Sequence, residues 1–192
     1  GWRSGKRYNF RELLMNNLMN PKYPKGRNLF KDKNILITAA AGSGIGFSTA
    51  KRFLEEGANI FISDVHQGRL DDSIDDLRKL DLGKVNGCLC NVTKDEEIET
   101  MFKEAIACFS HLDGVINNAG LGGESALENM TNDAWDLVMD VTLNGAMKIM
   151  RAAIPLLKDT QGVIVNNASV LGWRAQAGQS HYAAAKAGVM AL

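Results

Sequence analysis

Nine residues, Thr38-Ala39-Ala40-Ala41-Gly42-Ser43-Gly44-Ile45-Gly46, limit most strongly what this chain can become. They follow the apolar run Ile35-Leu36-Ile37 and lead into Ile45 to Glu56, a stretch with helical spacing. A buried strand, a glycine-rich turn and a helix in that order form the first half of a βαβ unit. Glycines there let the backbone pass close to a pyrophosphate. The helix N-terminus supplies N–H donors and the positive end of its dipole.

The pattern repeats along the chain. Asn59 to Ser63 reads as a second strand, closed by Asp64, and Leu70, Ile74 and Leu77 mark one face of a helix. Val85 to Cys90 is a third strand. Thr93 and Glu96 have capping-box spacing, and Ile98, Phe102, Ala105, Ile106 and Phe109 line the inner face of the helix that follows. Gly114 to Ile116 is a fourth strand. One long helix is predicted from about Thr131 toward Leu157, kinked or ended by Pro155. Gly162 to Val165 is a fifth strand, and Ser180 opens a last helix. Continuously apolar strands alternating with helices predict a doubly wound parallel α/β sheet of the Rossmann kind, in the order 3-2-1-4-5.

Asp64 lies eighteen residues beyond Gly46, at the end of the second strand. A carboxylate there can accept hydrogen bonds from both adenosine ribose hydroxyls and would repel a 2′-phosphate. The expected cofactor is therefore NAD rather than NADP. A second cluster runs from Ser169 to Lys186. Tyr182 and Lys186 are four apart and share a helix face. A phenol titrates near 10, and a neighbouring ammonium favours the phenolate, which makes Tyr182 a usable proton donor or acceptor. Ser169 follows the fifth strand, placed to meet the oxygen that Tyr182 would protonate.

Hydrophobic residues make up 45% and charged residues 23% of 192, ordinary proportions for a globular chain. The zero net charge hides an asymmetry. Residues 1–33 carry nine Lys/Arg against two Asp/Glu, and residues 34–192 carry the opposite excess. Residues 1–33 read as a basic arm and linker, with Phe10, Leu14 and Leu18 at helical spacing and Pro21 and Pro24 breaking the helix. Such an arm could meet nucleic acid or a membrane, but a solvated extension packed on its own domain or a partner subunit is the better reading. Residues 34–192 form the nucleotide-binding domain. Cys88, Cys90 and Cys108 lack metal-ligand spacing and point to free thiols in a reducing compartment, the cytoplasm. His66, His111 and His181 stand apart from carboxylates, so no metal is expected. No apolar run is long enough to span a bilayer.

The glycine turn, Asn117-Asn118-Ala119-Gly120 after the fourth strand, and Ser169, Tyr182 and Lys186 together resemble the short-chain dehydrogenase/reductase family over about residues 33–192. The resemblance implies an oxidoreductase that interconverts a secondary alcohol and a ketone by hydride transfer. Tyr182 would be the acid/base and Ser169 would position the substrate oxygen. Lys186 would hold the nicotinamide ribose and lower the phenol's pKa. Cofactor contacts would come from Thr38, Gly42, Ser43, Gly44, Ile45, Gly46, Asp64, Asn91, Val92, Asn118, Ala119 and Gly120, as well as Tyr182 and Lys186. Asn166 to Gln176 resembles bacterial members acting on hydroxyacyl-CoA or steroid-derived substrates. There Trp173 could stack on a flat apolar substrate and Arg174 could pair with a carboxylate or CoA phosphate, or the two could simply form a surface loop. The alternatives are an NADPH-dependent 3-oxoacyl thioester reductase, which Asp64 argues against, and a non-catalytic dinucleotide-binding regulator. A homodimer or homotetramer is implied.

Four features depart from the family pattern. The glycine turn has one extra residue, with Ala39 or Ala40 where the first glycine is expected. Asn91 stands in place of an adenine-contacting aspartate. Thr142 replaces the family's helix asparagine and is expected to hold the proton-relay water through its hydroxyl. The family's sixth and seventh strands are expected beyond Leu192, which would leave the fifth strand as an unpaired apolar edge.

Overall fold

The structure, a computed structural model, describes residues 22–192. The proposed helix over Phe10, Leu14 and Leu18 lies outside them. Five strands form one parallel sheet: β1 Asn34–Ile37, β2 Asn59–Asp64, β3 Val85–Leu89, β4 Gly114–Asn117 and β5 Val163–Asn166. Their spatial order is β3-β2-β1-β4-β5, as expected from the alternation of elements. Residues Ile35 to Ile37 pair with Ile60 to Ile62 on one side and with Gly114 to Ile116 on the other.

Helices cover both faces, which is why the consecutive runs Ile35-Leu36-Ile37 in β1 and Ile60-Phe61-Ile62 in β2 are apolar on both sides. On one face α1 (Ile45–Glu55) and α2 (Gln67–Arg78) bring Ala50, Leu54, Leu70, Ile74 and Leu77 onto Ile35, Ile37, Ile60 and Ile62. On the other face α3 (Asp95–Phe109) and a later helix bury Ile98, Met101, Phe102, Ile149 and Ala153 against Leu36, Phe61 and Val115. Among the described residues β5 stands last in the sheet order, and Val163 and Val165, which alternate onto one face of it, are 66% and 52% exposed.

The long helix predicted from Thr131 is interrupted. It comprises α4 (Asn132–Met139), a π-helical turn over Asp140–Asn144 and α5 (Gly145–Lys158). Pro155 does not end it where expected: it lies inside α5, which continues three residues further. Pro155 and Arg151, whose carbonyl loses its N–H partner, are both exposed, so water can take that carbonyl. The capping box at Thr93 is also absent. The residue before α3 is Lys94, whose side chain makes no cap. Instead Asn91 Oδ1 accepts from Thr93 N and Oγ1, and Glu97 accepts from Asn91 N at 2.7 Å. α6 spans Ser180–Ala191.

The last part of the linker is fastened to the domain. Glu56 accepts from the backbone N–H groups of Arg27 (2.7 Å) and Leu29 (3.2 Å). Arg52 donates to Pro24 O, and Phe30 packs edge-on against Phe53 at 4.7 Å. Among the described residues no helix is long and apolar enough to cross a membrane.

Candidate functional site

The functional candidates gather at the C-terminal ends of the parallel strands, where a doubly wound sheet leaves a crevice. A cavity of about 600 Å³ is lined by Gly44, Ile45, Gly46, Asn118, Gly120, Ser169, Tyr182 and Lys186, among others. Ala39 and Gly120 also line a second compartment of about 410 Å³, with Asp64, Asn91, Val92 and Ala119. The two make one groove running across the glycine turn.

The turn adopts the shape its glycines suggest. Gly42 has φ +84°. Of Ala39 and Ala40, the two candidates for the place of the first glycine, Ala39 lies in the left-handed region at φ +50°. That costs a residue with a Cβ about 1 kcal/mol. The carbonyl of Ala39 is held there by Asn118 Nδ2 at 3.0 Å. Gly46 is required by proximity, since a Cβ on it would stand 2.5 Å from Ala39 O and 2.7 Å from Asn118 Nδ2. Gly44 opens α1, and a Cβ there would meet nothing within 4 Å, so the space above the helix N-terminus is free for a ligand. That cradle fits the pyrophosphate of a dinucleotide.

Two of the expected cofactor residues have their polar groups engaged elsewhere. Thr38 is fully buried, and its Oγ1 accepts from Asn118 N and Ala119 N, each at 3.0 Å. Its hydroxyl ties β1 to the chain after β4 instead of reaching the groove. Gly42 N is spent on Ser73 Oγ at 2.9 Å. Ser43 is exposed on the turn, where it also borders an apolar hollow beside Phe30 and Phe53. Sequence reasoning placed Thr38 and Gly42 by motif, and a motif cannot tell which polar groups are consumed within the fold.

At the catalytic end, Lys186 is buried, with its Nζ donating to Asn167 O at 2.5 Å. Burial pushes its pKa below the ordinary lysine value. The ammonium sits 5.7 Å from the Tyr182 ring centroid, so the i, i+4 spacing does bring the two together. Ser169 Oγ accepts from Leu171 N at 3.2 Å, which leaves its O–H free to donate. Gly122, beside the Tyr182 ring, and Asn167, Glu124 and Gln179 also line the cavity. Their signal in the sequence was only adjacency to the motifs. Trp173 is 80% exposed and Arg174 is exposed with it, and neither lines the cavity.

Thr142 is where the reading from sequence needs revision. It sits fully buried in the π-helical turn, its hydroxyl accepting from Leu121 N and donating to Leu121 O, both at 2.9 Å. With both roles engaged by one backbone residue, the hydroxyl pins the segment after Gly120, and no donor remains for a relay water. Asn91 is likewise partly committed, its oxygen being taken by Thr93.

At the far end, Asp64 is nearly buried, and its Oδ1 accepts from His66 N and from Arg69 Nη2, each at 3.0 Å. Arg69 was not singled out from the sequence, yet it lines the same compartment. Burial pushes the thiol of Cys90, at that compartment's floor, up to about 12, so it is an inert thiol.

Comparison with known proteins agrees with this geometry. The short chain dehydrogenase profile matches residues 33–192. A Mycobacterium tuberculosis protein named (5R,7aS)-5-hydroxy-7a-methyl-1-oxo-2,3,5,6,7,7a-hexahydro-1H-indene-carboxyl-CoA reductase is 49% identical over 180 residues, covering 93% of this chain and 69% of that protein. A 3-oxoacyl-[acyl-carrier-protein] reductase of Thermotoga maritima is 35% identical, covering 83% and 65%. The crystal structure of a short chain dehydrogenase from Mycobacterium smegmatis superposes with a TM-score of 0.87 at 50% identity, covering 90% and 72%. The chain spans about two thirds of the length of the curated relatives it matches. The sheet order, the groove and a profile match across the whole domain lead to one conclusion: this chain belongs to the short-chain dehydrogenase family of oxidoreductases.

Proposed function

We propose that the protein carrying this chain is an NAD-dependent oxidoreductase that interconverts a secondary alcohol and a ketone on a CoA-linked, steroid-derived substrate. The observation that carries this reading is the single groove. It holds Ser169, Tyr182 and Lys186 at one end and Asp64 at the other, joined through Gly120 and Ala39. The substrate class rests on the 49% identical relative, whose name specifies a fused-ring CoA thioester.

The nicotinamide, when bound, supplies or accepts the hydride at the carbinol carbon. The chain's own residues do the rest. Ser169 donates its free O–H to the substrate oxygen and fixes its direction. Tyr182 gives its phenolic proton to that oxygen in reduction and takes it back in oxidation. Negative charge developing on the phenol is offset by the Lys186 ammonium, which stands 5.7 Å from the ring centroid. Lys186 is in turn aimed by Asn167 O. Thr142 acts by positioning, holding Leu121 so that Gly120 stays beside the lysine. Asp64 Oδ2, which has no partner among the described residues, is the acceptor for the adenosine ribose and favours NAD.

Residues 1–33 are an arm outside the chemistry, the free thiols fit a cytoplasmic location, and a homodimer or homotetramer is the assembly we infer. An NADPH-dependent 3-oxoacyl thioester reductase is the second reading, favoured by the 35% identical relative.

The test is a panel of hydroxyacyl-CoA, hydroxysteroid and 3-oxoacyl thioester substrates with each nucleotide, alongside paired Kd values for NAD and NADP. The expected result is turnover of a ring-bearing CoA substrate and tighter binding of NAD, a preference that Asp64→Ala erodes. Turnover confined to linear 3-oxoacyl thioesters with NADPH would replace the first reading by the second.

A further inference from the structure

The carboxylate assigned above to the ribose does not stand alone. Arg69, five residues beyond Asp64 on α2, donates from Nη2 to Asp64 Oδ1 at 3.0 Å. The arginine side chain is 55% exposed, against 8% for the aspartate. Its Cδ lies 3.9 Å from where a Cβ on Gly42 would stand, so the arm runs between the glycine turn and the end of β2. Both residues line the same compartment of about 410 Å³. A guanidinium carries five N–H donors, and the bond to Asp64 is the only side-chain hydrogen bond Arg69 makes among the described residues.

This changes what the compartment presents. An aspartate alone offers a net negative charge and repels a phosphate on the adenosine ribose. The pair is neutral. It offers one unpartnered carboxylate oxygen, Oδ2, to a ribose hydroxyl, and beside it unspent donors in the fork geometry that matches a phosphate. Cys90, the other titratable group lining the compartment, stays a neutral thiol and adds no charge.

We propose that Arg69 is a specificity-determining residue that makes this protein accept both NAD and NADP, reducing the preference Asp64 sets to a partial one. The inference rests on the reading that the groove binds a dinucleotide with its adenosine ribose at Asp64.

The test is equilibrium titration of the full chain with NAD and with NADP, for wild type, Arg69→Gln and Arg69→Lys. Charge-assisted hydrogen bonds of this kind are each worth about a tenfold change in affinity or more. Arg69→Gln is expected to weaken NADP by at least about tenfold and to shift NAD by no more than about threefold, since NAD places no phosphate there. Arg69→Lys, which keeps the charge and loses the fork, should fall between them. The helix cap is untouched by either change, because His66 Nδ1 accepts from the backbone N of Arg69. A Kd(NADP)/Kd(NAD) ratio that stays the same in both variants, or moves toward NADP, overturns the role of Arg69 while leaving the groove a dinucleotide site. Failure of the folded wild type to bind either nucleotide overturns both.

Discussion

Replacing Thr38 with valine tests whether the site is built by a latch inside the fold. The two side chains have nearly the same shape, so the change removes an acceptor without opening a cavity. Thr38 Oγ1 serves two backbone donors, Asn118 N and Ala119 N, at 3.0 Å each. Ala119 is buried, so its N–H would lose its acceptor with no water to replace it. The N–H of half-buried Asn118 would lose less. At about 1–3 kcal/mol for a stranded buried donor and less for the second, the total loss is about 2–4 kcal/mol. That is a large share of the ~5–15 kcal/mol that holds a domain together, but the chain should still fold. Thr38→Ser keeps the acceptor and loses one methyl, about 1 kcal/mol. Urea unfolding should therefore place Thr38→Val well below Thr38→Ser. Nucleotide affinity should fall as well, because Asn118 and Gly120 line the groove. A valine variant as stable as the serine variant would refute the latch.

Tyr182→Phe removes only the transferable proton, so turnover should collapse while the Kd for the dinucleotide stays within about twofold; residual activity within about tenfold of wild type would exclude Tyr182 as the acid/base. Burial lowers the pKa of Lys186, so its cation is lost as pH rises through a value below the ordinary 10.5. Between those two values the unfolded chain holds more protons, so folding stability rises with pH while activity falls. An alkaline activity limb at or above 10.5 would contradict this. Glu56 is held below its ordinary 4.5, first by the N–H of Arg27, against an opposing effect of burial. The anchor it provides for residues 27–29 is complete above about that value and is lost as pH falls through the lowered one. Amide exchange at Arg27 should quicken in acid and in Glu56→Gln, and exchange unchanged in the variant would show that the carboxylate is not the anchor.

Much of this was legible in the linear chain because it depends on local spacing. Strands and helices declare themselves by period, and apolar strands at both faces require helices on both sides. The strand order, the i, i+4 meeting of Tyr182 with Lys186, and Asp64 at the tip of β2 all follow from those periods. The helix from Thr131 looked continuous because its apolar spacing barely registers a π turn. That turn coincides with the bonds between Thr142 and Leu121, twenty-one residues apart. Thr38 and Gly42 looked like ligands because a motif records position and not hydrogen-bond partners; their partners, Asn118, Ala119 and Ser73, arrive only when the sheet assembles. Arg69 carried no motif at all, and the pair it makes with Asp64 exists because the start of α2 turns back over the end of β2. Local sequence decides which elements form and which end of the sheet holds the crevice. Packing decides which polar groups are consumed by the fold and which remain to meet a ligand, since a hydroxyl or backbone N–H satisfied across the structure is no longer available at the site.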